Sequence, residues 1–182
     1  MEWLPYELHP EIPKEGIDWS DRGRPQAEAG PGPSGRAGYF DHLRALAEEE
    51  GLTFQPPTRA PNSHRSLEAA EFAREHGVFD AYNRALFEAY FSEGRDIGDV
   101  DVLAELGSAN GLDPAALRDA LDSLHYALLV DERTEEARRL GVSSTPTFIF
   151  KSGDQRLPIV GAQEYALFQN VARRMGATPR AE

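Results

Sequence analysis

Apolar positions recur at helical spacing through the middle of the chain and give way to a strand-like run near its end. Phe40, Leu43, Leu46 and Ala47 share one face of a helix predicted from Tyr39 to Glu50, which Gly51 closes. Asn62 or Ser63 caps a second predicted helix through His76, with Leu67, Ala70, Phe72 and Ala73 inward and Gly77 at its end. The helix predicted from Phe79 to Ser92 carries the densest aromatic stripe, Tyr82, Leu86, Phe87, Tyr90 and Phe91, which reads as the centre of a helical core rather than as a cofactor box. Asp99 caps a short helix through Ala109, and Asn110-Gly111 ends it. Asp113-Pro114 is a capped start with proline at the first helical position, opening a helix to about Leu121. Ser123 to Leu140 is amphipathic and heavily charged.

This run of helices lies between two stretches of strand character. Glu2 to His9 alternates poorly but is rich in aromatic and apolar residues, and reads as a short strand. Near the other end, Gly141 to Phe150, GVSSTPTFIF, passes from a small-residue turn into a β-branched and aromatic strand, the composition of a strand buried on both faces. Proline lacks an amide hydrogen and is allowed at a strand's first residue, so Pro146 marks a beginning. A Ser-Ser-Thr-Pro turn is also a place where the peptide bond before proline is open to the cis form, because the tertiary amide cuts the trans preference to about 0.5 to 1 kcal/mol. A strand over Thr147 to Lys151, a turn at Ser152-Gly153-Asp154, a strand over Leu157 to Val160 and a helix from Ala162 to Met175 complete the pattern. Helices inserted between strands predict an all-helical insertion inside an α/β unit.

Composition narrows the class. The chain has 182 residues, long enough for one domain with an inserted subdomain, and its 40% hydrophobic and 27% charged residues are those of an ordinary globular protein. The formal net charge of −12 repels a phosphate backbone or an anionic bilayer, so neither nucleic acid nor membrane is an expected partner. No basic and apolar leader opens the sequence, and cytoplasm is the expected location. With no cysteine, the chain has no disulfide, no thiolate metal site and no thiol chemistry of its own. Between Pro10 and Gly38 lie 11 of the 29 glycines and prolines, a long loop read as a mobile insertion pinned by Trp19 rather than an active-site lid. His9, His42, His64, His76 and His125 show no paired ligand spacing, so no metal ligand is assigned, and no pair of carboxylates stands out as acid and base.

Gly-Val-Ser-x-x-Pro-Thr-Phe, followed by a charged turn, a second strand and a closing helix, resembles the cis-proline loop of thioredoxin-fold proteins. It is most similar to the cytoplasmic DsbA-like branch related to FrnE, to the hydroxychromene carboxylate isomerases and to the kappa-class glutathione transferases. The likeness extends over nearly the whole chain. Met1 to Pro13 resembles that branch's second strand and the loop after it, while Asn62-Ser63-His64-Arg65 and Leu86 to Ile97 resemble segments of its helical insertion. The family's opening strand and the Cys-x-x-Cys helix after it have no counterpart here. The implied fold is thus α/β and thioredoxin-like, with an inserted all-helical subdomain and the first strand and first helix missing. Residues 1–38 and 141–182 form its two halves around an insertion at 39–140. The expectation that follows is a polypeptide beginning inside a longer reading frame.

In that family the proline loop faces the reactive dithiol and holds the substrate peptide or glutathione. The matching positions are Thr145 and Pro146, flanked by Ser143 and Ser144, and Asn62 and His64 match a segment near the same cleft. No catalytic residue is assigned. Three functions follow from the resemblance: a thiol-disulfide oxidoreductase or disulfide isomerase of the DsbA type, redox-inactive as given; a glutathione-dependent isomerase or transferase; and a non-catalytic module that binds extended peptides. A peptide or thiol is the expected partner, and no cofactor is assigned, with glutathione the alternative ligand. An exposed strand edge at Met1 to His9 invites pairing while like charge opposes it, so the oligomeric state stays open.

Overall fold

The computed structural model describes residues 2–18, 35–123 and 125–178. The central part of the expected Pro10 to Gly38 loop, with its Trp19 anchor, lies outside the described residues. The chain divides into two compact units, Met1–Arg133 and Thr134–Glu182, and each is described by itself.

In the first unit, residues 2–16 form no regular element. β1 (Ile17–Asp18) pairs antiparallel with β2 (Arg59–Ala60), Ile17 opposite Ala60. The helices are α1 (Gly35–Glu49), α2 (His64–Glu75), α3 (Phe79–Phe91), α4 (Val100–Ala109), α5 (Pro114–Asp122) and α6 (His125–Arg139), the last continuing across the division. Local chemistry explains two of the starts well. The Asp99 side chain accepts from Asp101 N–H at 2.8 Å, and Asp113 accepts from Ala115 N–H at 2.9 Å with Pro114 at the first helical position.

The core of this unit gathers α2, α3, α4 and α5 around Ala69, Ala73, Tyr82, Leu103, Leu117 and Leu121. Burying each large side chain contributes roughly 1.5–3 kcal/mol. The Tyr82 hydroxyl, wholly buried, donates to the Leu103 carbonyl at 3.1 Å, so the polar end of the largest core side chain is satisfied. Rings extend outward from α3: Phe91 stacks on Phe54 and on Phe87, with centroids 6.2 and 6.0 Å apart.

Several expectations need correction. Glu2 to His9 is not a strand. Pro5 within it and Pro10 just after it carry no amide hydrogen, and no strand pairs with it among the described residues. Side chains of α2 and the residues before it hold the segment instead: Arg74 donates to the Trp3 carbonyl at 2.9 Å and Asn62 to the Ile12 carbonyl at 2.6 Å. Phe87 is 50% exposed and outside the core, because the buried face of α3 runs through Tyr82, Leu86 and Ala89, and a residue next to Leu86 points about 100° round the helix from it. On α2, Leu67 is only half-buried whereas Glu68 and Glu71 are buried. α1 starts a turn earlier than Tyr39, through glycines whose low helix propensity argued against it.

In the second unit, β3 (Thr147–Ser152) and β4 (Gln155–Val160) form an antiparallel hairpin with Thr147 opposite Val160. α7 (Tyr165–Arg174) places Phe168 against Phe148 and Phe150, centroids 4.8 and 6.3 Å away, so alternate residues of β3 face the helix. Thr147 to Phe150 are half-buried, not buried on both faces; within the unit α7 packs on the face that carries Phe148 and Phe150. Among the described residues, no helix is long and apolar enough to cross a membrane.

Candidate functional site

The six residues singled out from the sequence fall into two groups, one in each unit. Ser143, Ser144, Thr145 and Pro146 lie in the second unit on the turn entering β3; Asn62 and His64 lie in the first, at the start of α2.

The Thr145–Pro146 peptide bond is cis, and both residues are exposed. The turn is pinned from within: Thr147 Oγ1 donates to the Ser144 carbonyl at 2.7 Å, and Gly161 N–H donates to the Pro146 carbonyl at 2.8 Å. That last bond fixes which backbone groups the hairpin uses. With Pro146 and Gly161 as a hydrogen-bonded pair, the next such pairs are Phe148 with Ile159 and Phe150 with Leu157. The amides and carbonyls of Thr147, Ile149 and Lys151 consequently point to the opposite edge of β3, where no strand is paired among the described residues. On β4 the outward position opposite Ile149 is Pro158, which has no hydrogen to offer, so that edge is interrupted and the β3 edge is the one suited to an added strand.

The first unit holds a denser polar cluster. Asn62 is engaged at both ends of its amide, Nδ2 donating to Ile12 and Oδ1 accepting from His64 N–H at 3.0 Å, which gives α2 its N-terminal partner where Ser63 makes no side-chain cap. The His64 ring stands between two carboxylates: Nδ1 is 3.0 Å from Glu7 Oε2, and Nε2 is 3.6 Å from Glu68 Oε1. Arg65 approaches the same Glu68 oxygen at 3.8 Å while its guanidinium also donates to the Leu121 carbonyl. Glu68 is 1% exposed, and its Oε2 has no hydrogen-bond partner. Burial pushes its carboxyl above the ordinary range, helped by the negative charges of Asp131 and Glu7 and opposed by Arg65 and His64. Glu7, His64 and Asp131 each place one ligand atom within 4.8 Å of the others.

Sequence reasoning found His64 but neither Glu7, Glu68 nor Asp131. Glu7 and Asp131 come from separate segments, and Glu68 is a carboxylate buried on a helix whose expected inward residues are apolar. A groove of about 560 Å³ beside Trp3, Arg74 and Phe79 is lined by neither the proline turn nor the His64 cluster.

Comparison with known proteins places this geometry in context. The model of the DSBA-like thioredoxin domain matches residues 1–172. The uncharacterized protein YwbO of Bacillus subtilis is 29% identical over 161 residues, 87% of this chain and 74% of that protein. Among solved structures, a probable DsbA oxidoreductase of Streptomyces coelicolor superposes with a TM-score of 0.78 at 23% identity, covering 98% of this chain and 77% of the other. A 2-hydroxychromene-2-carboxylate isomerase does so with a TM-score of 0.62 at 22% identity, over 82% and 73%. For the cytosolic disulfide reductase DsbM of Pseudomonas aeruginosa the values are 0.55, 20%, 77% and 72%.

Proposed function

The chain belongs to the DsbA-like thioredoxin domain family, and from that premise we propose that its residues bind the substrate of thiol-disulfide chemistry while supplying no thiol themselves. The observation that carries this reading is the turn Ser143 to Pro146, exposed at Ser143, Thr145 and Pro146, leading into a strand with one edge unpaired among the described residues, in a chain that contains no cysteine. Thiol exchange proceeds by attack of a thiolate on a disulfide sulfur, and nothing in this sequence can provide either atom. What the residues do provide is a backbone template. The outward amides of Thr147 and Ile149 continue the line of the turn, and an extended peptide laid along them gains main-chain hydrogen bonds as an added strand. The serine hydroxyls of Ser143 and Ser144 add donors beside the turn. The partner is a peptide or a small thiol; with a net charge of −12, a polyanion is disfavoured.

The test combines an insulin-reduction assay with amide chemical shifts of the full chain, titrated with a cysteine-free extended peptide and, separately, with glutathione. The expected result is no reduction above the buffer blank and saturable shifts at Thr145, Thr147 and Ile149 with the peptide. Lys151→Pro, which removes an outward donor and leaves the ladder to β4 intact, weakens that binding. Reduction above the blank, or peptide shifts confined to other residues, overturns the reading. Tight glutathione binding without peptide binding favours the isomerase or transferase side of the family.

A further inference from the structure

We propose that Glu7, His64 and Asp131 bind a divalent transition-metal cation such as Zn²⁺, with Glu68 as the carboxylate behind the histidine. The site lies wholly in the first unit and is independent of the peptide-binding turn.

The donor atoms are already gathered. His64 Nδ1 and Glu7 Oε2 stand 3.0 Å apart, a little inside the roughly 3.4 Å edge that two ligands at about 2.1 Å from a tetrahedral ion subtend. All three ligand atoms lie within 4.8 Å of one another, so the widest gap must close by up to about 1.4 Å to reach the edge of a tetrahedral site. Asp131 is exposed and has the room to make that movement. One imidazole with carboxylates, and no sulfur, is a donor set for zinc, cobalt, nickel or manganese. Magnesium and calcium, which take oxygen alone, are disfavoured by the imidazole.

A second observation is the carboxylate behind the histidine. Glu68 is 1% exposed, its Oε2 has no hydrogen-bond partner, and its Oε1 is 3.6 Å from His64 Nε2, on the side of the ring away from Glu7. A buried carboxylate oxygen without a partner is costly. The oxygen that faces the ring is Oε1, and with a metal on Nδ1 it is the one placed to accept from Nε2–H, because a ligating histidine characteristically donates its other ring N–H to a carboxylate that fixes its orientation. The local charge agrees. Glu7, Glu68 and Asp131 bring three carboxylates together, and Arg65 is the guanidinium whose charge acts on Glu68 from beside them. A divalent cation offsets the excess. The histidine spacing along the sequence gave no sign of this, since the three ligands come from three distant segments.

The experiment is a Co²⁺ titration of the EDTA-stripped full chain, followed by visible absorption and by competition with Zn²⁺. One equivalent is expected to bind, with Zn²⁺ displacing Co²⁺ and Mg²⁺ failing to do so. Asp131→Asn, at an exposed position that leaves folding intact, is expected to weaken binding tenfold or more, and Glu68→Gln to weaken it and alter the cobalt spectrum. His9→Ala and His125→Ala, at the exposed histidine–carboxylate pairs, leave the affinity unchanged. The proposal is overturned by the absence of saturable binding, by binding indifferent to Asp131→Asn, or by loss of binding in either of the two control variants.

Discussion

The hydroxyl of Tyr126 donates to Glu75 Oε2 at 2.6 Å, tying the first turn of α6 to the last residue of α2 across 51 positions of sequence. Burial, then the hydrogen bond and the negative charge of Glu75, push the Tyr126 phenol up to about 12 from its usual 10. Because the folded-state value is the higher one, the folded chain holds this proton where the unfolded chain has released it. The stabilisation is therefore complete below pH 10 and is lost as pH rises from about 10 to 12. Tyr126→Phe is expected to cost about 1 kcal/mol at neutral pH, since Glu75 is half-exposed and returns to water. The variant also flattens the alkaline fall in stability. Chemical denaturation between pH 8 and 11, together with phenolate absorbance, reads both effects. Burial alone raises Tyr82 further, so it stays protonated later still and its contribution to the slope persists in the variant.

Glu7→Ala tests how the N-terminal segment is held. The substitution removes the acceptor for His64 Nδ1 and leaves the segment tethered through Asn62 to Ile12 and Arg74 to Trp3. Loss of a part-buried bond between ionisable groups costs about 1–3 kcal/mol. The loss should be local. Limited proteolysis within residues 2–18 is expected to accelerate about tenfold or more, while amide protection around Leu103 and Leu117 is unchanged. Uniform loss of protection through α4 and α5 would instead show that Glu7 supports the whole unit.

Which of these relationships the sequence reveals depends on how local their causes are. The boundaries of α4 and α5 follow from Asp99, Asp113 and Pro114, each acting within three residues of the helix start, and they are legible at once. The hairpin of β3 and β4 is equally local, with the Gly153-Asp154 turn between its strands. The failures are non-local. Glu2 to His9 has a strand's composition, but a strand exists only where another chain segment pairs with it, and that partner cannot be read from the segment itself. Phe87 carries an aromatic ring one position beyond the buried face, and the ring's apolarity outweighed its phase in the reading. The His64 cluster was half visible: the Asn62 to Arg65 stretch stood out through resemblance, while Glu68, buried on a face that looks polar, and Asp131, some sixty residues further on, became relevant only through packing.

Gly16→Ala is expected to break the β1 and β2 pairing. Gly16 has φ of +71°, in the region that penalises any side chain, and a Cβ there would stand 2.8 Å from the Ala60 carbonyl oxygen, a backbone atom held in β2. The conformational penalty alone is about 1–2 kcal/mol, and the clash adds to it because the atoms nearest that Cβ, the Ala60 carbonyl oxygen and Pro61 Cα, are backbone. Denaturation should show a loss of at least about 1 kcal/mol, with faster hydrogen exchange at Ile17 and Ala60. A neutral result would mean that this short ladder contributes nothing to the fold.

Thr147→Val separates the shape of the proline turn from the strand it opens. Valine keeps the β-branched outline and the strand preference of threonine but removes the hydroxyl that donates to the Ser144 carbonyl at 2.7 Å. The bond lies at a half-buried position, so its net contribution to stability is about 0.5–1.5 kcal/mol, and the hairpin register from Phe148 to Ser152 should survive its loss. What changes is the turn. Ser143 to Pro146 loses its side-chain tether, and a partner that docks there must then spend binding energy on ordering it. The expected outcome is an unchanged set of cross-strand contacts by NMR, faster amide exchange at Ser144 and Thr145, and peptide affinity reduced several-fold. If affinity holds while exchange accelerates, the peptide engages the β3 edge alone and the turn takes no part in binding.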